Sequence, residues 1–440
     1  MRSGLRLAGA VAVLACAAAT PIARPAGGSR LSPTHGRSIA SGMRPSVSDR
    51  AGDGVVRIAL GLPVAGVALT AAGDWRLSEG DGGNDLLTAH AGDSWSIERN
   101  GSWLRAVRDD GTITSWQEGP LVASVLDSTG ETLLALNGRH YRGELSIIVH
   151  DTALLIVNRL RVEDYLRGVV PLEIGTRSAA EVAAVEAQAV AARSYSYARM
   201  AEGGVRSYDL VGTVMDQVYG GADVETALTD IAVASTGRLV LRYAGRVVSA
   251  PYSANCGGST AAPSEVWHGA RDQPYLQPVS DRIPGTDRFY CDIGPRFRWS
   301  RTLDRDALSA AMVRYTRTVA DGGSGRPGGI RDLAIEGRTP SGRVRALAVE
   351  TDGGRYVLRG NEIRFTMRSA GGEILNSTYF SLESERDGSG SLARVTFHGT
   401  GNGHGIGMCQ WGAIGRARAG QDYRTILQSY FPGTTIETVD

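Results

Sequence analysis

Short runs of apolar and β-branched residues, punctuated by glycine, aspartate and asparagine, occupy the chain from Val55 to about Val157. Val55-Val56-Arg57-Ile58-Ala59-Leu60 and Leu145-Ser146-Ile147-Ile148-Val149 are examples, and runs this short between turn residues predict strands. The pattern changes at Asn158. Val162-Glu163-Asp164-Tyr165-Leu166 leads into Gly168-Val169-Val170-Pro171-Leu172-Glu173-Ile174. Pro171 lacks an amide donor and biases Val170 away from helix, which argues against a long helix through this point. Glu173 is therefore expected on a loop or at the edge of an element. Ser178-Ala179-Ala180-Glu181 has the form of a capping box, so a helix should begin there, run through an alanine-rich stretch to Ala201 and stop at Gly203-Gly204. Its pitch brings Gln188, Arg193 and Tyr195 within two turns of one another.

A further helix is expected near Val224–Thr236, then a hairpin of Leu239-Val240-Leu241 and Val247-Val248-Ser249 around Ala244-Gly245. From Trp299 to about Phe397 a second mixed region follows, with a helix over Asp304–Tyr315, a glycine-rich loop at Gly322–Gly329, and strands at Val344–Glu350, Tyr356–Arg359 and Thr378–Leu382. Helices over Ile414–Ala419 and Tyr423–Tyr430 close the chain. The expected fold class is α+β: a β-rich N-terminal region over residues 54–157, then a mixed α/β core over 158–440 that bears a cleft and contains the mixed subregion at about 300–397.

Arg2 and Arg6 precede an apolar run from Leu7 to Ala19 that is too short to span a bilayer but suits a secretory signal over residues 1–22. Residues 23–53, rich in Pro, Ser, Gly and Arg, read as a disordered linker. Val13-Leu14-Ala15-Cys16 resembles a lipoprotein processing box, which makes Cys16 a candidate lipid anchor beside the alternative of a cleaved soluble form. The expected location is outside the cytoplasm, periplasmic or envelope-associated. With 440 residues, 42% apolar and 21% charged, the chain has room for two or three domains. A net charge of +1 without a basic stripe argues against a nucleic-acid partner. All 47 basic residues are arginine, which removes Schiff-base lysines, phosphate-loop lysines and serine–lysine pairs and leaves carboxylate, histidine or cysteine chemistry.

Glycine stands at every second position from Gly399 to Gly407, with His398, His404, Cys409, Gln410 and Trp411 in or beside the run. Glycine permits positive φ and close backbone approach, so this loop suits the presentation of polar groups; a tight turn between strands fits the same spacing. Beyond Cys16 the cysteines are Cys256, Cys291 and Cys409. A Cys256–Cys291 disulfide would close a loop of about 35 residues and contribute ~3–4 kcal/mol through the unfolded chain. A metal site recruiting His268, or Cys409 and His404, lacks the close CxxC or HxxxH spacings of such sites. The disulfide is the favoured reading, with Cys409 left as an odd thiol.

Four stretches taken together resemble the SpoIID/LytB family of sporulation stage II protein D and amidase-enhancer proteins, over roughly Val55 to the C-terminus. They are Asp164 to Ile174, Glu186 to Tyr195, Ser253 to Thr260, and Gly403 to Ala413; Gln217-Val218-Tyr219-Gly220-Gly221 and Ser341-Gly342-Arg343-Val344 fit as well. The resemblance implies a SpoIID-like core and a protein that either cleaves peptidoglycan as a lytic transglycosylase or binds it and stimulates other wall hydrolases. In the catalytic members the acid is the glutamate of the first stretch, here Glu173. Protonating a glycosidic oxygen near neutral pH requires a carboxyl kept protonated by desolvation, and Pro171, Leu172 and Ile174 are suitable neighbours. A hydrolase needs a second carboxylate. A lytic transglycosylase does not, because the muramic acid 6-hydroxyl closes a 1,6-anhydro ring and one glutamate acts first as acid, then as base.

Gln188, Arg193 and Tyr195 either hold sugar rings or serve the fold, with Arg193 pairing to a carboxylate and Tyr195 packing. His404 and Gln410, flanked by glycines that allow close approach, and Trp411, a platform for a sugar face, are expected against the glycan, with Ser253, Gly257, Gly258 and Thr260 on the opposite wall of the groove. Some relatives carry zinc, but no full ligand set maps onto this chain, so no metal or other cofactor is assigned. Expected partners are peptidoglycan glycan strands and, if the chain is a non-catalytic enhancer, an N-acetylmuramoyl-L-alanine amidase.

Overall fold

The computed structural model describes residues 54–439 apart from 128, 204–205, 320–326 and 370; the signal, linker and Cys16 expectations lie outside the described residues. The alternating N-terminal half folds into two sheets. One orders the strands Leu210–Val211, Val55–Ala59, Ala153–Arg161, Glu144–His150, Leu121–Val125, Trp75–Glu79 and Asp85–Ala89, antiparallel except at the Leu210–Val211 edge. The other is built from six strands between Val67 and Tyr141. Period-two burial explains the pairing: Trp75 and Leu77 are buried while Arg76 between them is exposed, and Leu69, Leu104 and Leu134 of the second sheet join the same core. The α+β class expected from the pattern is the one observed.

Among the described residues the helices of eight or more residues are α1 (Val162–Ile174), α2 (Val182–Glu202), α3 (Ala227–Ser235), α4 (Arg305–Val319), α5 (Gln410–Arg418) and α6 (Tyr423–Tyr430). α1 continues the strand Ala153–Arg161 without a break and runs through Pro171, contrary to the expectation that proline would forbid a helix here. Pro171 falls in the last turn, where its missing amide forfeits one intrahelical bond, and its carbonyl still accepts the Gly175 amide at 3.1 Å. Glu173 is thus the penultimate residue of a helix and lies at an element's edge.

Glu181 reaches back to the Ser178 amide at 2.9 Å, and the chain enters α2 directly after it. α2 is packed by α1, α3, α5, α6 and the strand Leu239–Tyr243. A helix surrounded on this many sides buries most of its circumference instead of one stripe, and the buried Ala184, Ala187, Ala189, Ala191 and Ala192 let its neighbours approach closely. Arg193 is fully buried on it. Its guanidinium makes a paired bond to Glu163 of α1 at 2.7 and 2.8 Å and donates to the Leu239 and Val233 carbonyls at 3.1 and 3.2 Å. One side chain therefore joins α1, α2, α3 and a strand.

Residues from Arg298 to Thr400 form two three-stranded sheets with α4 against them, around a separate apolar core that includes Leu308, Met312, Leu347, Val349, Phe380 and Phe397. Beyond it, Tyr252–Ser253 pairs in parallel with Met408–Cys409, and bridges link Asn255 to Asn402 and Ala261 to Ile406. This pairing lays the glycine run beside the Ser253–Thr260 stretch.

Arg193→Ala should leave the Glu163 carboxylate with the Arg238 amide alone and take the side-chain donor from the Leu239 and Val233 carbonyls, at a cost of about 3–5 kcal/mol, read as a lower urea midpoint with an unchanged slope. A loss under ~1 kcal/mol would show that the pair does not hold the helices together.

Candidate functional site

Glu173 projects from the end of α1 beside exposed Leu172 and is itself part-exposed. Its Oε1 accepts the Val218 amide at 2.8 Å. That amide is held in place by its neighbour, Gln217, whose carboxamide is fully buried and bonded on every side. Gln217 Oε1 accepts the Tyr165 and Ser196 hydroxyls at 3.2 and 3.0 Å, while Nε2 donates to the Tyr252 hydroxyl at 2.8 Å and the Ala192 carbonyl at 3.4 Å. Desolvation pushes the Glu173 carboxyl up to about 7, against the opposing pull of the Val218 amide and the Gln410 carboxamide. Asp216, the nearest acid in that loop, is already engaged by the Tyr195 hydroxyl at 2.8 Å, the Val211 amide at 2.9 Å and Arg199 at 3.3 Å.

Gln410 opens α5 and bridges to α2, donating from Nε2 to Gln188 Oε1 at 3.2 Å; both side chains are buried, and Gln188 Nε2 has no hydrogen-bond partner among the described residues. Trp411 is part-exposed, and the Arg177 guanidinium lies 5.1 Å from its ring centroid. Arg177 lies just past the end of α1, beyond its C-cap Gly175. Four of the expected residues, Glu173, Gln188, Gln410 and Trp411, thus come together, with Val218 and Arg177 added. Gln217 was legible only as part of a matching stretch, and its sequence neighbours, Asp216 and Val218, do not reveal the network it closes.

The other expected contacts are placed elsewhere. Arg193 is spent on Glu163, and Tyr195 on Asp216, so both serve the fold. His404 is buried, accepts the Ile406 amide on Nδ1 at 3.0 Å and packs on Trp267 with ring centroids 5.5 Å apart. Burial, with Arg364 and Arg343 nearby, holds its imidazole down to about 3, so it is a neutral brace of the glycine loop and not a groove residue. Ser253 is likewise buried, and its hydroxyl accepts the Gly405 amide at 3.1 Å. Gly257 and Gly258 have φ of +77° and +107°, and a Cβ at Gly257 would come within 2.9 Å of Thr400; they shape a backbone crossing. Gly257 lines a 670 Å³ cavity with Phe289, Phe297 and Tyr379, and none of the described cavities is lined by Glu173.

The expected Cys256–Cys291 disulfide is replaced by a different arrangement. The two sulfurs are 3.7 Å apart, all three cysteines are free, and Cys409 joins them with Asp281 in a buried cluster whose ligating atoms lie within 4.8 Å of one another. A third sulfur drawn in by the parallel pairing at Cys409 explains why pairing two thiols by spacing alone was incomplete. His404 and His268 are not in this cluster.

Residues 150–243 match a family described as stage II sporulation protein, SpoIID, and residues 286–407 match a domain of unknown function, DUF8618. The chain is 29% identical over 304 residues to an uncharacterized protein of Brachyspira hyodysenteriae, covering 68% of this chain and 73% of that one. It is 29% identical over 311 residues to the stage II sporulation protein D of Bacillus subtilis, covering 67% of this chain and 80% of that protein. With the amidase enhancer of Bacillus subtilis the identity is 28% over 308 residues, covering 62% of this chain and only 40% of that protein.

The raised Glu173 pKa makes a stability prediction with a definite sign. A carboxyl whose folded pKa is about 7 against 4.5 contributes stability that is fully present below pH 4.5 and lost as pH rises through 7. Glu173→Gln keeps an acceptor for Val218 and removes the titration, so it should gain on the wild type between pH 5 and pH 8, by up to about 3 kcal/mol and less where groove water screens the charge. Thermal melts of both proteins at the two pH values check this; equal differences at both would refute the shift.

Proposed function

We propose that this chain, a member of the SpoIID/LytB family, a family associated with cell-wall degradation, is a lytic transglycosylase of peptidoglycan glycan strands with Glu173 as its acid and base. The observation that carries the reading is the state of Glu173: a part-exposed carboxyl, pushed up to about 7 by burial, whose shift involves no second carboxylate among the described residues. A group of that pKa is protonated often enough near neutrality to give a proton to the glycosidic oxygen. Once ionised, it can take the proton of the muramic acid 6-hydroxyl as that oxygen attacks the anomeric carbon. The bond to the leaving sugar breaks, a 1,6-anhydro ring forms, and no water is consumed. A two-carboxylate hydrolase would need a partner acid across the scissile bond.

Trp411 offers a flat apolar face for a sugar ring, and its Arg177 cover adds a donor at the rim. Gln410, behind the acid, donates both to Gln188 and to Glu173 and so holds the carboxyl in place. In this reading the protein is exported and works at the cell envelope. The second reading, a binding module that stimulates an amidase, draws on the similarity to the amidase enhancer, which this chain covers over 40% of its length.

Purified protein incubated with glycan strands, intact or stripped of stem peptides, should release fragments with 1,6-anhydro ends by mass spectrometry, with the rate falling as pH rises through about 7. Glu173→Gln should lower the rate by about 10²-fold or more while still binding strands. No anhydro product on either substrate, together with stimulation of an added amidase, would replace the enzyme with the enhancer.

A further inference from the structure

We propose that Cys256, Cys291, Cys409 and Asp281 form a structural zinc site beside the candidate site, one residue from Gln410. The four residues arrive from separate segments. Cys256 follows the strand Tyr252–Ser253, Asp281 lies in the next loop, Cys291 sits in the short turn Tyr290–Ile293, and Cys409 caps the N-terminus of α5. All four are buried, and their ligating atoms fall within 4.8 Å of one another.

Geometry separates a metal from a disulfide. Zinc–sulfur bonds of about 2.3 Å in a tetrahedron put ligand sulfurs about 3.8 Å apart, whereas a disulfide joins them at about 2.05 Å. Cys256 and Cys291 are 3.7 Å apart. Asp281 supplies an independent sign. Its Oδ1 accepts the Tyr430 hydroxyl at 2.7 Å and Arg416 Nε at 3.3 Å, while the buried Oδ2 accepts no N–H or O–H bond among the described residues. Inside the cluster the Asp281 carboxyl is met by the Cys291 thiol, a weak donor, and a cation held among the sulfurs would replace that S–H contact with a ligand bond.

The surroundings match an anionic centre. Cys409 Sγ accepts the backbone amides of Cys256 at 3.1 Å and Gly412 at 3.3 Å, bonds that favour a thiolate. Arg343 is fully buried and donates to the Cys256 and Ser259 carbonyls at 2.8 and 3.1 Å, leaving Nε and Nη1 without partners among the described residues. Three thiolates, one carboxylate and Zn²⁺ make a dianion, which the Arg343 and Arg416 guanidiniums balance. Three sulfurs and one oxygen in a closed shell favour zinc over magnesium or calcium. Binding releases three thiol protons to solvent and involves no oxidant or reductant.

The site would also fix the groove. Gln410, adjacent to Cys409, is the residue that reaches Gln188 and Glu173, so a metal at Cys409 would hold its backbone in register with the acid.

Full-length protein purified with a thiol reductant and no chelator should carry about one zinc per chain by plasma mass spectrometry, and cobalt exchange should give the intense visible bands of a thiolate-ligated tetrahedral ion. Asp281→Asn and Cys409→Ser should bind zinc about tenfold or more weakly against a chromophoric chelator. Should Cys409→Ser fail to fold, Asp281→Asn and the wild type still decide the matter: chelation should lower the thermal midpoint, and zinc but not magnesium should restore it. A Cys256–Cys291 disulfide found by thiol counting and intact mass, or three free thiols that take up neither zinc nor cobalt, would overturn the proposal.

Discussion

The candidate site depends on one buried carboxamide. Gln217 is bonded through both ends to α1, α2 and the Tyr252 strand, and each of those elements carries something the site uses. α1 carries Glu173, α2 carries Gln188, and the Tyr252 strand pairs with the glycine run that ends at Gln410. A network of this kind tolerates little displacement, since each buried polar group left unmade costs about 1–3 kcal/mol. Apolar packing would let the three elements slide against one another; the four bonds to Gln217 set their register. The amide that follows, Val218, is delivered to the acid as a consequence.

Much of the secondary structure was legible because its signals are local. α6 has the bounds that its apolar spacing predicts, and α2 begins where Ser178 and Glu181 can exchange a hydrogen bond. The hairpin around Ala244-Gly245 follows from residues that accept positive φ, 50° and 76° in the structure. Where the reading failed, a local preference lost to tertiary contact. α1 passes through Pro171 because Val169, Val170 and Ile174 are buried around it, and their burial outweighs one missing amide bond. α5 begins at Gln410 instead of near Ile414, since Cys409 caps it with its sulfur, a cap that helix-start rules built on serine, threonine and aspartate do not anticipate.

The site was legible to a smaller degree, and for a physical reason. A glutamate after a proline reads as a turn residue; only the combination of four stretches singled out Glu173. Arg193, Tyr195, Ser253 and His404 lie in the same stretches, yet each has its polar atoms engaged by the protein itself. Motif membership marks residues that matter to the fold and residues that could meet a ligand alike, and only burial and partners tell them apart. The sulfur cluster lies beyond any spacing rule, because its members are drawn from loops far apart in the chain and its fourth member is an aspartate with no flanking signature.

A carboxyl that must first give and then recover a proton has a narrow useful range of pKa. With a pKa far above neutrality it would be a weak acid that gives up its proton reluctantly in the first step, and near its ordinary 4.5 it would seldom hold that proton at all. Burial alone drives Glu173 upward, while Val218 and Gln410 pull it back, and the balance is about 7. The two restraints come from separate segments of the chain: Val218 is fixed by the Gln217 network, and Gln410 by the residue before it, Cys409, and by Gln188. A shift of a few tenths of an ångström in either would alter a hydrogen bond to the acid, and with it the proton affinity on which both steps depend. The segments that hold Val218 and Gln410 are therefore part of the acid's chemistry, and the buried Cys409 next to Gln410 belongs to that support.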